Sequence, residues 1–366
     1  MPSKCLLFVS AVQNKLLDIH AALKTDNICV PLNLERFSQG SVIAIDGIII
    51  NIDFKNVTAV ETVKESLQRV DRNKTFLVFV VDSDKACDLT EAFALGADEI
   101  IYRSSHKLLL KQDWIKNAAS RIRNLITSYE FRQKQPKVLK QAIKSGDSAL
   151  SYIFNYAQNG RPIKIQDLKK DIGNIVGALD EHGLDAWLEM VRCHHSATYQ
   201  HCLIVTGVAT AFGRTIGCND KDLERLSIGA MLHDVGKSKI PVEILEKPGP
   251  LDEFEWVIMK QHPNLGREII KEAHDFDPEV LDIVSHHHEY LDGSGYPDSL
   301  KGSEISDIVR IMTISDIFGA MIERRSYKKE ASPQQAYDVL SSMTTKLEMP
   351  LVRAFSEILK TFQKAA

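Results

Sequence analysis

Short runs of consecutive apolar residues alternate with amphipathic stretches through the first hundred positions. The runs are CLLFVS (5–10), NICVPL (27–32), GIIINID (47–53), TFLVFVVD (75–82) and DEIIYR (98–103). Their length and continuous apolar character predict strands buried on both faces. Between several of them, residues 14–23, 57–70 and 86–95 carry apolar side chains at helical spacing. Strands that alternate with helices predict a doubly wound α/β domain with a parallel sheet. One local signal competes: VIAI-DG-IIIN (42–51) also reads as a hairpin around an Asp-Gly turn.

The pattern then changes. Ile115, Ala118, Ile122, Leu125 and Tyr129 recur at spacings of three and four, predicting an amphipathic helix with a narrow apolar seam, and Pro136 is expected to interrupt it. Residues 103–144 hold eleven Lys and Arg against Asp113 and Glu130, a segment of +9 in a chain whose net charge is -4. That segment reads as the last helix of the first domain running into a solvated linker. The other readings are a dimerisation or signalling helix over 107–133 serving a homodimer, or a patch for an acidic partner. From about 146 onward the chain reads as nearly all helix, with loops at 160–162, 248–250 and 292–298. The organisation predicted is an α/β domain over 1–125, a basic helical linker over 126–150, and an all-α domain over 151–366.

Composition narrows the function. With 366 residues, 44% hydrophobic and 26% charged, the chain is ordinary globular protein long enough for two domains, and disorder and low complexity are excluded. The near-neutral balance offers no whole-chain case for a nucleic-acid polymer as partner. Cys5, Cys29, Cys87, Cys193, Cys202 and Cys218 form no CxxC pair, which argues against a disulfide framework and a thiolate zinc site. No apolar run approaches the roughly 18 to 20 residues of a membrane helix, so a cytoplasmic protein without a membrane anchor is expected.

Histidine is distributed unevenly: nine of the twelve lie between His194 and His288. His233-Asp234 closes the apolar run from Ile228 to Leu232, where an unpaired acid and imidazole are costly to bury and a metal removes the cost. Imidazole and carboxylate without thiolate suit iron, manganese, nickel, cobalt or zinc in an octahedral or mixed site. An aspartate can also bridge two metals, which a single imidazole nitrogen cannot.

HDVGK (233–237), IP (240–241), KPGPL (247–251), HPNLG (262–266), HHEYLDGSGYP (287–297), ISD (314–316) and RRSYK (324–328) follow one another in order. This set resembles the HD-GYP domain, a branch of the HD metal-dependent phosphohydrolases. The resemblance implies a helical bundle around a metal centre that hydrolyses cyclic di-GMP to linear pGpG and on to GMP by way of a bridging hydroxide. It implies His201, His233 and Asp316 on one metal, His262, His287 and His288 on the other, and Asp234 between them. Two divalent transition metals, foremost iron or manganese, are therefore expected. Some members bind a third metal through a glutamate four residues before the first histidine; that position is Ala197 here, with His194 or His195 as the alternatives. Lys237 is expected one helical turn after His233, facing the same centre, where it stabilises charge on phosphorus or protonates the leaving oxygen. Arg325 and Lys328 resemble phosphate-contacting residues, and Arg325 reaches the site only if the helix ends or bends near Glu323. Tyr296 is a candidate to stack on guanine. Asp292 and Glu289 are expected behind the ligands, Asp292 as an acceptor orienting a ligand histidine. In the family the 292–297 loop is implicated in contacts with diguanylate cyclase (GGDEF) domains. Two other functions stay open: a cyclic-dinucleotide sensor or scaffold with little turnover, and hydrolysis of another cyclic dinucleotide.

The first domain resembles a response-regulator receiver, most clearly at ALGADE (94–99). The acidic pair expected after strand one is absent, Asn51 stands near the acceptor position with Asp53 two residues on, and Arg103 stands where a lysine belongs. The resemblance therefore implies a degenerate receiver that does not transfer phosphate.

Overall fold

All five apolar runs form strands in the computed structural model: β1 (Cys5–Ser10), β2 (Ile28–Asn33), β3 (Gly47–Asn51), β4 (Phe76–Val81) and β5 (Glu99–Tyr102). The structure describes every residue except 1–3, 11–15, 25–26, 40–44, 72–73, 82–91, 93–94, 103–110, 193–196, 246, 248, 273–274, 324–329 and 364–366. It divides into two compact units, 1–134 and 135–366.

In the first unit the strands form one sheet in the order β2-β1-β3-β4-β5, with every pairing parallel. β3 and β4 are buried at every position, as continuous apolar runs require. β2 lies at an edge, where its Pro31 removes no hydrogen bond from a central ladder. Leu7, Ile48, Ile50, Leu77 and Phe79 pack on one face with Phe37 of α2 (Leu34–Gln39) and Val63 of α3 (Val57–Leu67). Leu6, Phe8, Ile49, Phe76 and Val78 pack on the other with Ile19 of α1 (Leu17–Leu23) and with α4 (Lys111–Lys134).

Two competing readings fall away here and one expectation changes. Gly47 begins β3 instead of turning a hairpin, because a side chain there would collide with the Phe76 ring, and Asp46 accepts from the backbone N–H of Cys5 at 2.9 Å. The seam considered for a homodimer through 107–133 is already occupied: Ala118, Ile122 and Leu125 cover the sheet of their own unit. The stretch expected as a linker, 126–150, is shared between the end of α4 and the first turns of α5 (Lys137–Gln158), whose Leu139, Ala142 and Ile143 are buried in the second unit. Pro136 separates the two helices as its missing N–H dictates. The helix expected over 86–95 falls almost wholly outside the described residues.

The second unit is helical. After α5 come α6 (Ile165–Val191), kinked at Gly183 with φ 80, α7 (Ala197–Thr215) and α8 (Asp220–Leu232). A 3-10 turn (Val235–Lys239) leads to α9 (Val242–Leu245), α10 (Glu253–Met259), α11 (His262–Lys271) and α12 (Pro278–His286). A second 3-10 turn (Gly302–Glu304) precedes α13 (Asp307–Ile322), α14 (Pro333–Ser342) and α15 (Met349–Gln363). The helix starts follow local chemistry: Asn219 caps α8, Asp252 closes a capping box on Glu255, and Asp277 and Ser332 cap helices that begin with proline. α7 runs through the middle, its Leu203, Val205, Val208 and Phe212 fully buried. Gly207 admits the Trp187 ring and Gly319 admits Val205, so neighbouring helices close tightly on α7. Among the described residues no helix is long and apolar enough to cross a membrane.

Candidate metal centre

Three helix ends and two helix interiors deliver the chemistry. α8 is apolar and buried from Ile228 to Leu232, so the chain leaving it carries His233 and Asp234 into the interior, each only 1% exposed. Gly236 follows because α11 lies against this turn. A Cβ there would overlap the His262 carbonyl oxygen and stand 2.6 Å from the Gly266 nitrogen. The glycines of HDVGK and HPNLG thus bring His262, the first residue of α11, beside Asp234. His287 and His288 follow the last turn of α12, His201 lies in α7 and Asp316 in α13.

These side chains form two adjoining donor sets, His201 with His233 and Asp234, and His262 with His287 and His288. In the first, Nε2 of His201 lies 3.3 Å from Nε2 of His233 and 3.2 Å from Oδ1 of Asp316. In the second, Nε2 of His262 lies 3.2 Å from Nε2 of His287. Asp234 faces both: its Oδ2 stands 3.4 Å from His233 and 3.6 Å from His201, and its Oδ1 stands 3.4 Å from His262. Oδ1 is buried and accepts no hydrogen bond. An anionic oxygen in that state is costly unless a cation meets it, so the donor set fits divalent metal. His233, His262 and His287 each turn Nδ1 to a backbone carbonyl, of Ala230 at 2.7 Å, Met259 at 2.9 Å and Val284 at 3.1 Å. That contact fixes the tautomer and leaves Nε2 as the free donor.

Electrostatics sort the groups. Burial opposes charge on Asp234, yet Lys237 and then His233 hold its carboxyl well below the usual range. Asp316 is likewise held low, by His201 above all, against the cost of burial. Burial pushes the His262 imidazole down to about 3 and that of His288 to about 4, and with help from its histidine neighbours depresses His287 as well. All three are neutral donors at physiological pH. His201 differs: burial would lower it, but Asp316 and Glu323 raise it to about 9. Its imidazole holds a proton among carboxylates, and a metal cation would take that proton's place.

Lys237 stands in the 3-10 turn instead of one α-helical turn after His233, because α8 ends at Leu232. Its ammonium reaches Asp234 Oδ2 at 2.6 Å all the same. Tyr296 lies at the edge of the centre, its ring 4.7 Å from the His288 ring with Lys260 5.6 Å over it. Glu289, expected behind the ligands, is buried and ties down the loop that carries Tyr296, accepting from the backbone N–H of Asp298 at 2.6 Å and of Leu300 at 3.2 Å. Asp292, expected to orient a ligand histidine, instead accepts from the Ser294 N–H at 2.9 Å and the Thr345 hydroxyl at 3.2 Å, at the surface. His286 bridges Asp282 and Asp298 at 2.6 and 3.0 Å. α13 ends at Ile322 and Glu323 is extended, with ψ 135, so the break needed before Arg325 is present. Arg325 and Lys328 themselves lie outside the described residues, as do His194 and His195.

Glu323 was not anticipated. It is 2% exposed, with Oε2 3.2 Å from Nδ1 of His201. Followed by Arg324 and Arg325 it reads as a surface acid. The available signal is its spacing, seven residues or two helical turns after Asp316, which places both acids on one face.

A helical unit with two buried His/Asp donor sets sharing one carboxylate defines a metal-centre domain. Residues 186–349 match the family model described as HD domain. The chain is 29% identical over 210 residues to a protein of Pseudomonas aeruginosa named cyclic di-GMP phosphodiesterase, a match covering 57% of this chain and 50% of that protein. It is 26% identical over 319 residues to one of the same name from Thermotoga maritima, covering 86% of this chain and 79% of that one. The chain thus spans half the length of the Pseudomonas relative. Among solved structures it resembles Bd1817, an HDG"Y"P protein from Bdellovibrio bacteriovorus, with a TM-score of 0.52 at 18% identity over 69% of this chain and 81% of that one, a likeness of fold.

Proposed function

We propose that this protein is a metal-dependent phosphodiesterase that opens cyclic di-GMP to linear pGpG, with further cleavage to GMP. The observation that carries the reading is the division of the Asp234 oxygens between two donor sets, Oδ2 toward His201 and His233 and Oδ1 toward His262. The names of the two relatives favour this substrate. His201, His233 and Asp316 would hold one divalent ion, His262, His287 and His288 the second, and Asp234 both, with iron or manganese the leading metals. When bound, such a pair supplies an activated water and neutralises charge on the phosphodiester.

The chain's own groups serve the rest of the reaction. Hydrolysis adds a water oxygen to phosphorus and breaks the bond to a ribose oxygen, which leaves with a proton. Lys237 is kept protonated by Asp234 despite burial, so its ammonium serves to offset charge growing on the phosphoryl oxygens or to give the leaving oxygen its proton. Tyr296 offers an aromatic face beside His288 for a guanine, and Arg325 and Lys328 are the basic residues for the phosphates. The first unit is read as a receiver-like regulatory domain that does not transfer phosphate. Its strand order is that of flavodoxin-like folds, and at the acceptor position the Asn51 amide donates to the Val80 carbonyl at 2.6 Å.

The test is hydrolysis of cyclic di-GMP by the manganese- or iron-loaded protein, with a mixed cyclic GMP-AMP dinucleotide in parallel. Faster turnover of the mixed dinucleotide would reassign the substrate; tight binding without turnover would make the protein a sensor.

A further inference from the structure

We infer that Glu323 is a positioning residue for His201 and makes the two metal positions unequal, the one at His201, His233 and Asp316 being the tighter. The inference rests on the binuclear reading of the centre. Three ligand histidines, His233, His262 and His287, have a neutral backbone carbonyl behind Nδ1. His201 instead has a carboxylate there: Oε2 of Glu323 stands 3.2 Å from Nδ1 while Nε2 faces Asp316 at 3.2 Å. The contact is one of charge, since Nδ1 makes no hydrogen bond: an anion beside Nδ1 favours the proton on that nitrogen and makes the opposite nitrogen a stronger donor. Both partners are buried, His201 5% and Glu323 2% exposed, so water screens the effect little. Charge works in the same direction. The His201 position has Oδ1 of Asp316 at 3.2 Å and Glu323 behind it, whereas the other is built from three imidazoles, with Oδ2 of Asp316 farther off, 3.7 Å from Nδ1 of His288. The carboxylate reaches His201 because α13 stops at Ile322 and the extended backbone of Glu323 keeps its side chain inside.

Manganese binding to the full-length, chelator-stripped protein, followed by calorimetry without substrate, tests this. The parent should take up two ions of distinct affinity. His262→Ala should leave one position, that of His201, and adding Glu323→Gln should weaken this ion by about 10- to 100-fold. In a His201→Ala background the same Glu323→Gln change should leave the remaining ion's affinity unaltered. Thermal unfolding of the stripped proteins should show Glu323→Gln folded but less stable than the parent, since the protonated His201 loses a buried partner. Equal weakening in both backgrounds, or none in either, would overturn the role of Glu323. A parent that binds no manganese would overturn the metal centre itself, and this inference with it.

Discussion

Lys237 places its ammonium nitrogen 2.6 Å from Oδ2 of Asp234, the oxygen that also faces His201 and His233. A cation held there by a carboxylate, and not by a donor nitrogen of its own, serves charge and protons and does not complete a metal's shell. Lys237→Met should therefore keep the metal content and lower kcat on cyclic di-GMP by about 10²- to 10³-fold. Metal analysis and steady-state kinetics check this, and activity within twofold of the parent would contradict it.

Glu289 is a buried acid whose acceptors are both used by backbone amides of the loop carrying Tyr296. Glu289→Ala leaves two N–H groups without partners, at about 1–3 kcal/mol each. A clear fall in the melting temperature of the metal-free protein is expected, together with a raised KM as Tyr296 loosens. Unchanged stability would refute the bracing role.

Gly236 has no room for a side chain because the backbone of α11 occupies the space at His262 and Gly266. Gly236→Ala should force the 3-10 turn and α11 apart, separating Asp234 from His262. The expected result is a protein with parent-like helical circular dichroism that loses the shared carboxylate's ion at the His262 set, its affinity down at least tenfold. Equilibrium dialysis with manganese measures it, and full retention of two ions would contradict the packing argument.

Asp282 supplies a pH signature. Burial would raise its carboxyl, but hydrogen bonds from His286 and Ser306 hold it below the ordinary value. A folded value depressed below the unfolded value of about 4 stabilises the fold fully above that pH, and this stability is lost as pH falls through the folded value. Asp282→Asn should thus be less stable than the parent at pH 7, and the gap should close in acid below about pH 4. Denaturant melts across that range test it; a constant gap would argue against the assignment.

The strands were readable because a buried parallel strand must be apolar at successive positions, and GIIIN and FLVFVV leave no other use for such runs. α2, only six residues long, was not, since it is too short to show a helical period. The Asp46-Gly47 pair gave a competing hairpin signal for a physical reason: glycine is needed there by Phe76 on the neighbouring strand, a contact 29 residues away that no local rule contains. The seam of α4 was visible, but its partner was not, because an apolar stripe does not name the surface that covers it. In the centre, His233-Asp234 stood out as polar residues ending an apolar helix. Glu323 did not, since its role depends on which imidazole the folded chain brings to it, and Glu289, though expected behind the ligands, turns to backbone amides that no local pattern names. Lys237 comes beside Asp234 from a 3-10 turn and not from the helical turn expected, because α8 ends at Leu232.

The central claim is that Asp234 joins two metal positions into one hydrolytic centre. The direct measurement is metal content and cyclic di-GMP hydrolysis on the same preparations of parent and Asp234→Asn. The account predicts two manganese or iron ions per parent chain with release of pGpG, and loss of both metal and hydrolysis in Asp234→Asn. A parent loaded with two ions that leaves cyclic di-GMP intact, or an Asp234→Asn variant that keeps cleaving it, would contradict the account.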